Sequence, residues 1–262
     1  MKILYIGDVM AKPGIETVEA VLPGVCEEYG VDLVIAQAEN VTNGRSMSVG
    51  DMKRLRAAGV NFFTGGNHTP KIDELHPLLE DVSQPVIGPA NMVGCPGQGW
   101  KYIDTAHGKV LIISILASVI DRRVITKNPL QTIDNILDIN KDTQRAATIV
   151  NIHGDYSSEK VIFGYYLDGK VAAVIGDHWH VPTADAMVLP KGTAHITDVG
   201  MTGILHSSLG IKLDAVIPRW RDEVVNRNEI EYEGPRQFNA VVVETDKNGL
   251  ALSIEPVHRV VS

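Results

Sequence analysis

Leu33-Val34-Ile35-Ala36-Gln37-Ala38-Glu39-Asn40 decides the reading of the fold. Leu33–Ala36 is a continuous apolar run of strand length, and the chain turns polar and acidic just beyond it. Towards the N-terminus, Val18, Val21, Leu22, Val25 and Tyr29 recur at helical spacing, and Ile3–Ile6 forms an earlier apolar run that reads as a buried strand. Pro23-Gly24 falls inside that helix and predicts a kink or a break. Towards the C-terminus, Ser48 caps a helix carrying Val49, Met52 and Leu55, with Gly59 as its stop. Val60–Thr64 follows as a third strand, and Thr69-Pro70 opens a further helix. Strand–helix–strand repetition of this kind implies parallel pairing with right-handed crossovers.

The middle is less regular. Pro85 to Trp100 is rich in Gly and Pro and predicts a loop with at most a short strand. Lys109–Ser118 is a strand, Asn128-Pro129 begins a helix through Leu130, Ile133 and Leu137, and Ser157–Leu167 is a helix between strands at Ala147–Ile152 and Val171–Ile175. The remainder leans towards β, at Ala186–Leu189, Ala194–Thr197, Asn239–Glu244 and Leu250–Pro256. A parallel α/β start with a β-rich finish predicts two packed sheets flanked by helices, in a single domain over residues 1–262.

Composition narrows the function classes. The net charge of −8 leaves no electrostatic footprint for tracking long nucleic acid, so an anionic substrate would need local positive charge, for which bound metal is one source. Cys26 and Cys95 make no disulfide framework and read as unpaired thiols of a reducing compartment. The apolar run after Met1-Lys2 is too short for a signal peptide, and Val110–Ile120 reads as a buried strand rather than a membrane span. The expected location is the cytoplasm. A homo-oligomer is compatible with the sequence, which does not fix the subunit count.

Candidate chemistry gathers at one kind of place. Asp8 follows the strand Ile3–Ile6, Glu39-Asn40 follows Leu33–Ala36, and Asn67-His68 follows Val60–Thr64. His153 follows the strand ending at Ile152, and His178 and His180 follow the one ending at Ile175. In an open parallel sheet such ends share an edge, where ligands bind. Taken singly, each has a plain structural alternative. Asp8 reads as a turn or helix cap, Glu39-Asn40 as a solvated loop, Asn67 as a turn residue and His153 as an interior histidine. His178-Trp179-His180 is stronger, because imidazoles two apart on an extended segment point the same way. Buried carboxylates brought together at the strand ends would be costly without a cation. The set lacks thiolate, which suits iron, manganese or zinc, and it exceeds the needs of one ion. Two ions sharing a carboxylate would use it fully and could hold a hydroxide for attack at phosphorus.

The order Gly7-Asp8, Ala38-Glu39-Asn40, Gly66-Asn67-His68, His153 and Gly176-Asp177-His178-Trp179-His180 resembles the calcineurin-like metallophosphoesterases. It is most similar to their YmdB-like bacterial branch, described as 2′,3′-cyclic-nucleotide phosphodiesterases. Asp8 is followed by Val9-Met10 where most relatives have Asp-x-His, and Glu39 stands where most have a bridging Asp. The likeness continues in Pro89-Ala90-Asn91, Ser158-Glu159-Lys160, Tyr166-Leu167-Asp168-Gly169, Leu189-Pro190-Lys191-Gly192-Thr193 and Thr197-Asp198-Val199-Gly200-Met201-Thr202-Gly203. The resemblance implies a sandwich of two mixed β-sheets flanked by α-helices. It implies that Asp8, Glu39, Asn40 and His180 hold one metal, that Glu39, Asn67, His153 and His178 hold the other, and that His68 is a general acid. Pro70-Lys71, Gly14-Ile15, Gly88 and the stretch 154–157 depart from the branch pattern, so the metal chemistry transfers further than the identity of the substrate.

The implied reaction is hydrolysis of a small phosphodiester, a 2′,3′-cyclic nucleotide first, by a metal-bridging hydroxide, with iron the first candidate metal and manganese or zinc the others. Rival readings are a phosphomonoesterase or other anion esterase on the same site, and a nucleotide-binding regulatory protein with vestigial hydrolysis. Arg122, Arg123 and Lys127 are open to phosphate binding or to a solvated loop, and Trp179 to base stacking or to packing. His76, His107, His195, His206 and His258 match no motif.

Overall fold

The computed structural model describes residues 1–119 and 121–262, so Ile120, the last residue of the apolar stretch 110–120, lies outside it. The chain runs β1 (Lys2–Ile6), β2 (Asp8–Val9), α1 (Ala11–Tyr29), β3 (Leu33–Gln37), α2 (Val49–Ala57), β4 (Phe62–Thr64), α3 (His76–Glu80), β5 (Trp100–Thr105) and β6 (Gly108–Leu116). It continues with α4 (Pro129–Ile139), β7 (Ala147–His153), α5 (Ser157–Tyr166), β8 (Ala173–Asp177), β9 (Met187–Val188), β10 (Ala194–Ile196), β11 (Met201–Ile204), α6 (Leu213–Asp222), β12 (Arg236–Thr245) and β13 (Ala251–Val261).

The strands form two mixed sheets. The first has the order β2-β11-β12-β1-β3-β4, with β13 on the other side of β12. Within it β1, β3 and β4 are parallel neighbours, as their helical connections require. The second has the order β5-β6-β7-β8-β10-β9, with β6, β7, β8 and β10 parallel. Period-two geometry divides the core. Ile3 and Tyr5 of β1 face the space between the sheets, beside Ile112, Ile149 and Ile175. Leu4 and Ile6 face outwards onto Val18, Leu22 and Leu55 of α1 and α2. The far side of the second sheet packs Leu111, Ile113 and Val150 against Ile133, Ile136 and Phe163 of α4 and α5. Helices thus cover both sheets, the two-sheet architecture expected above.

Local expectations fare unevenly. Ser48 caps α2 by accepting from the Asp51 N–H, and Asn128 caps α4 by accepting from Gln131. Pro23 does not break α1, which is one continuous helix, because Pro23 lies on its exposed face, where water can take the carbonyl that loses its donor. The helix expected at Thr69-Pro70 is two 3₁₀ turns, Thr69–Lys71 and Asp73–Leu75, before α3 begins. Ile72 is extended there, and the Ser46 hydroxyl takes the Thr69 carbonyl that a helix would use. The strands β5 and β11 and the helix α6 have no counterpart in the sequence reading. Among the described residues no helix is long and apolar enough to cross a membrane.

Candidate metal centre

The parallel strands of both sheets end at one edge, and the candidate ligands sit there. Asp8 begins β2 immediately beyond β1, Glu39 and Asn40 follow β3, Asn67 and His68 follow β4, His153 is the last residue of β7, and His178 and His180 follow β8. The structure brings these eight side chains into one connected cluster. Glu39, only 1% exposed, lies at its centre. Its Oε1 is 3.2 Å from His153 Nε2 and 3.5 Å from His68 Nδ1, and its Oε2 accepts the His68 backbone N–H at 2.9 Å. Asn40 Nδ2 lies 3.2 Å from Glu39 Oε1, from Asp8 Oδ1 and from His180 Nε2. Asn67 Oδ1 is 3.1 Å from His153 Nε2, and the His153 and His178 rings stand 4.4 Å apart. Ligand atoms of Glu39, His153 and His178 all fall within 4.8 Å of one another.

A layer that the sequence reading leaves without a role orients these groups. Asp177, fully buried at the end of β8, accepts from His153 Nδ1 at 2.6 Å, Asn151 Nδ2 at 2.6 Å, Gln37 Nε2 at 2.8 Å and the Tyr5 hydroxyl at 2.9 Å. With Nδ1–H given to Asp177, the lone pair of His153 Nε2 points at Glu39 and Asn67, the carboxylate–imidazole arrangement that prepares a histidine for a metal. Lone polar residues inside apolar strands, such as Asn151 between Val150 and Ile152, are the available signal. His178 Nε2 is 3.3 Å from Asp155, another residue without a role in the sequence reading.

The electrostatics are those of a site built around positive charge. Burial, reinforced by the Asp177 and Glu39 carboxylates, pushes the Asp8 carboxyl well above its usual range. Burial also resists ionisation of Glu39, but His153, followed by His68 and His178, outweighs it and holds Glu39 below its usual range. His153 is raised despite its burial because Glu39 and Asp177 flank it. Burial holds His178 and His180 at about 4, so both are neutral imidazoles with lone pairs available. Burial likewise lowers His68, against the pull of Glu39. The amide and backbone N–H groups on these buried carboxylates offset only part of the cost of holding them together. Oxygen and neutral imidazole donors around that charge fit one or more transition-metal ions.

Gly66 leaves no spare room in this cradle. An added Cβ would stand 2.5 Å from His153 Nε2 and closer still to Glu39 Oε2. Gly66→Ala is therefore expected to weaken metal binding about tenfold or more, measured as metal content after dialysis, with the circular dichroism spectrum of the fold intact. Full metal content in this variant would contradict the placement of the cluster.

Other candidates fall outside. Arg123 pairs with Asp121 of its own exposed loop at 2.8 Å, and Arg122 and Lys127 are exposed, so the solvated-loop reading holds for this segment. Trp179 packs: its indole N–H donates to the Asp155 carbonyl and Lys160 Nζ lies 4.2 Å from the ring centroid. A cleft of 570 Å³ beside Lys109, Arg145 and Lys247 lies at the opposite ends of the strands and contains no candidate ligand.

The sequence profile of the YmdB-like protein family matches residues 4–257. The chain belongs to the YmdB-like family. It is 34% identical over 247 residues to the 2′,3′-cyclic-nucleotide 2′-phosphodiesterase of Bacillus subtilis (strain 168), spanning 94% of this chain and 92% of that relative. Among solved structures it is similar to a Mycoplasma pneumoniae protein described as a novel phosphatase, with TM-score 0.91 and 30% identity over 99% of this chain and 93% of the other. It is also similar to a Thermus thermophilus protein described as hypothetical, with TM-score 0.89 and 34% identity over 99% of both chains. The YmdB-like assignment agrees with the two-sheet fold, and it implies a metal-dependent enzyme, for which the Glu39–His153–His178 cluster is a possible binding place.

Proposed function

We propose that the chain is a dinuclear metal-dependent phosphodiesterase acting on small phosphodiesters, with 2′,3′-cyclic nucleotides as its substrate class. As a phosphoric ester hydrolase it shares the activity named for its Bacillus subtilis relative. The observation that carries the reading is the buried Glu39 carboxylate, whose Oε1 is approached by Asn40, by His153 and, at the rim, by His68. In this reading Asp8, Glu39, Asn40 and His180 hold one ion, and Glu39, Asn67, His153 and His178 hold the other. Iron is the first candidate, with manganese or zinc as alternatives. When bound, such a pair supplies Lewis-acid charge towards the phosphoryl oxygens and an activated water.

The chain's own groups do the rest. Asp177 fixes the tautomer of His153, as above. Asn40 serves a cation through Oδ1, the atom now 3.1 Å from His68 Nδ1. His68, on a side chain that is 33% exposed and able to meet substrate, acts as the imidazolium. It gives the Nε2 proton to the ribose oxygen as the P–O bond breaks and is left a neutral imidazole, its Nδ1–H held by the Asn40 side-chain oxygen. Residues 1–262 act as one domain in this reading, in the cytoplasm, where unpaired Cys26 and Cys95 are stable.

The test compares kcat/KM on a 2′,3′-cyclic nucleotide, a linear diester and a monoester with manganese-loaded protein. The cyclic substrate is expected to exceed the monoester by at least about 100-fold, roughly 2.7 kcal/mol of transition-state discrimination. A monoester preference would instead favour the phosphatase activity named for the Mycoplasma pneumoniae structure.

A further inference from the structure

Lys160 has no role in the chemistry above, yet it is a fully buried lysine directly behind the metal ligands. Its Nζ donates to the Asp177 carbonyl at 2.6 Å and to Asp198 Oδ2 at 3.0 Å, and it lies over the Trp179 ring. Asp198, also fully buried, accepts the Trp179 N–H through Oδ2 at 2.8 Å and the Gly200 N–H through Oδ1 at 2.9 Å. The pair therefore grips the backbone on both sides of His178: the carbonyl before it and the N–H after it. His178 itself has φ +106°, and His180 has φ +64°. L-residues other than glycine seldom occupy that half of conformational space, and they persist there only where the surroundings over-determine it. Around His178 those surroundings are Lys160 and Asp198, together with Asp8, whose Oδ2 accepts the His178 N–H at 3.2 Å.

We propose that Lys160 and Asp198 are positioning residues that clamp the 177–180 turn in its left-handed conformation and so aim the His178 and His180 imidazoles into the metal centre. The clamp explains why a buried ion pair, which two apolar residues could replace without loss of stability, stands at this position. Its product is ligand geometry. The inference rests on the metal-centre reading, because it concerns how two of its ligands are held.

The test neutralises both charges together with Lys160→Met/Asp198→Asn, since Lys160→Met alone would leave a buried carboxylate without its counter-charge. Manganese(II) is titrated calorimetrically into the metal-free wild type and the variant, and the melting temperature of each metal-free protein is recorded. The expected result is a variant whose metal-free melting temperature is close to that of the wild type and whose manganese affinity is about 10–100-fold weaker, the effect typical of outer-layer support in metal sites. Unchanged manganese affinity overturns the clamp, whether or not the melting temperature falls, because a merely structural pair affects stability alone. Should the double variant fail to fold, Lys160→Leu/Asp198→Asn, which keeps the charge balance and likewise removes the donor to the Asp177 carbonyl, is read in the same way. Absence of manganese binding by the wild type would refute the metal reading itself and the clamp with it, so the two failures are distinguishable.

Discussion

His68→Ala is expected to keep its metals, to lose about 10²–10⁴-fold of its rate on 2′,3′-cyclic nucleotides, and to lose far less on a nitrophenyl phosphodiester. The difference follows from the leaving groups. A ribose hydroxyl must gain a proton as its bond to phosphorus breaks, whereas a nitrophenolate is stable enough to leave unprotonated. His68 suits the donor's task by position: Nδ1 meets Asn40 inside the cluster while the side chain stays partly open to solvent. Single-turnover rates on both substrates, together with metal content, check this. Equal losses on both would make His68 a positioning group, and loss of metal would make it a ligand.

Metal removal should have the largest effect on stability. At free metal about a thousandfold above Kd, each occupied site stabilises the folded chain by about 4 kcal/mol. For a protein of this size each kcal/mol moves Tm by roughly 2–4 °C, so stripping two sites should lower it by on the order of 10 °C or more. Glu39→Gln should reproduce much of that fall and deplete both ions, because its carboxylate faces both ligand groups. His180→Ala should deplete one. Scanning calorimetry with elemental analysis decides the matter. Coincident melting of stripped and loaded protein would rule out a preformed centre.

The candidate ligands are legible because each stands where an apolar run stops, and period-two and helical spacings make those stops visible. Their supports are not. Asp177, Asn151, Gln37 and Tyr5 lie within or at the end of strands, and sequence spacing does not reveal which face of which sheet a strand residue will meet. Lys160 enters the sequence reading only as part of a motif, since a lysine on a helix reads by default as solvated. Pro23 misleads because the break it threatens depends on which face of α1 is wet. The strand β11 escapes because Met201–Ile204 is short, contains Gly203, and becomes a strand only through partners far away in the chain: Asp8 and Val9 on one side, Arg236 and Gln237 on the other.

That last pairing bears on how the protein is made. Asp8 is made well before its strand partner, Met201, which lies far along the chain. The other edge of β1 stays bare until residues 240–244 arrive. A nascent chain stalled before β11 therefore has a seat for His153, His178 and His180 but none for Asp8, and a bare edge on β1 that a chaperone must shield. Truncations that remove β11 and β12 should therefore yield a chain prone to aggregate rather than a smaller enzyme.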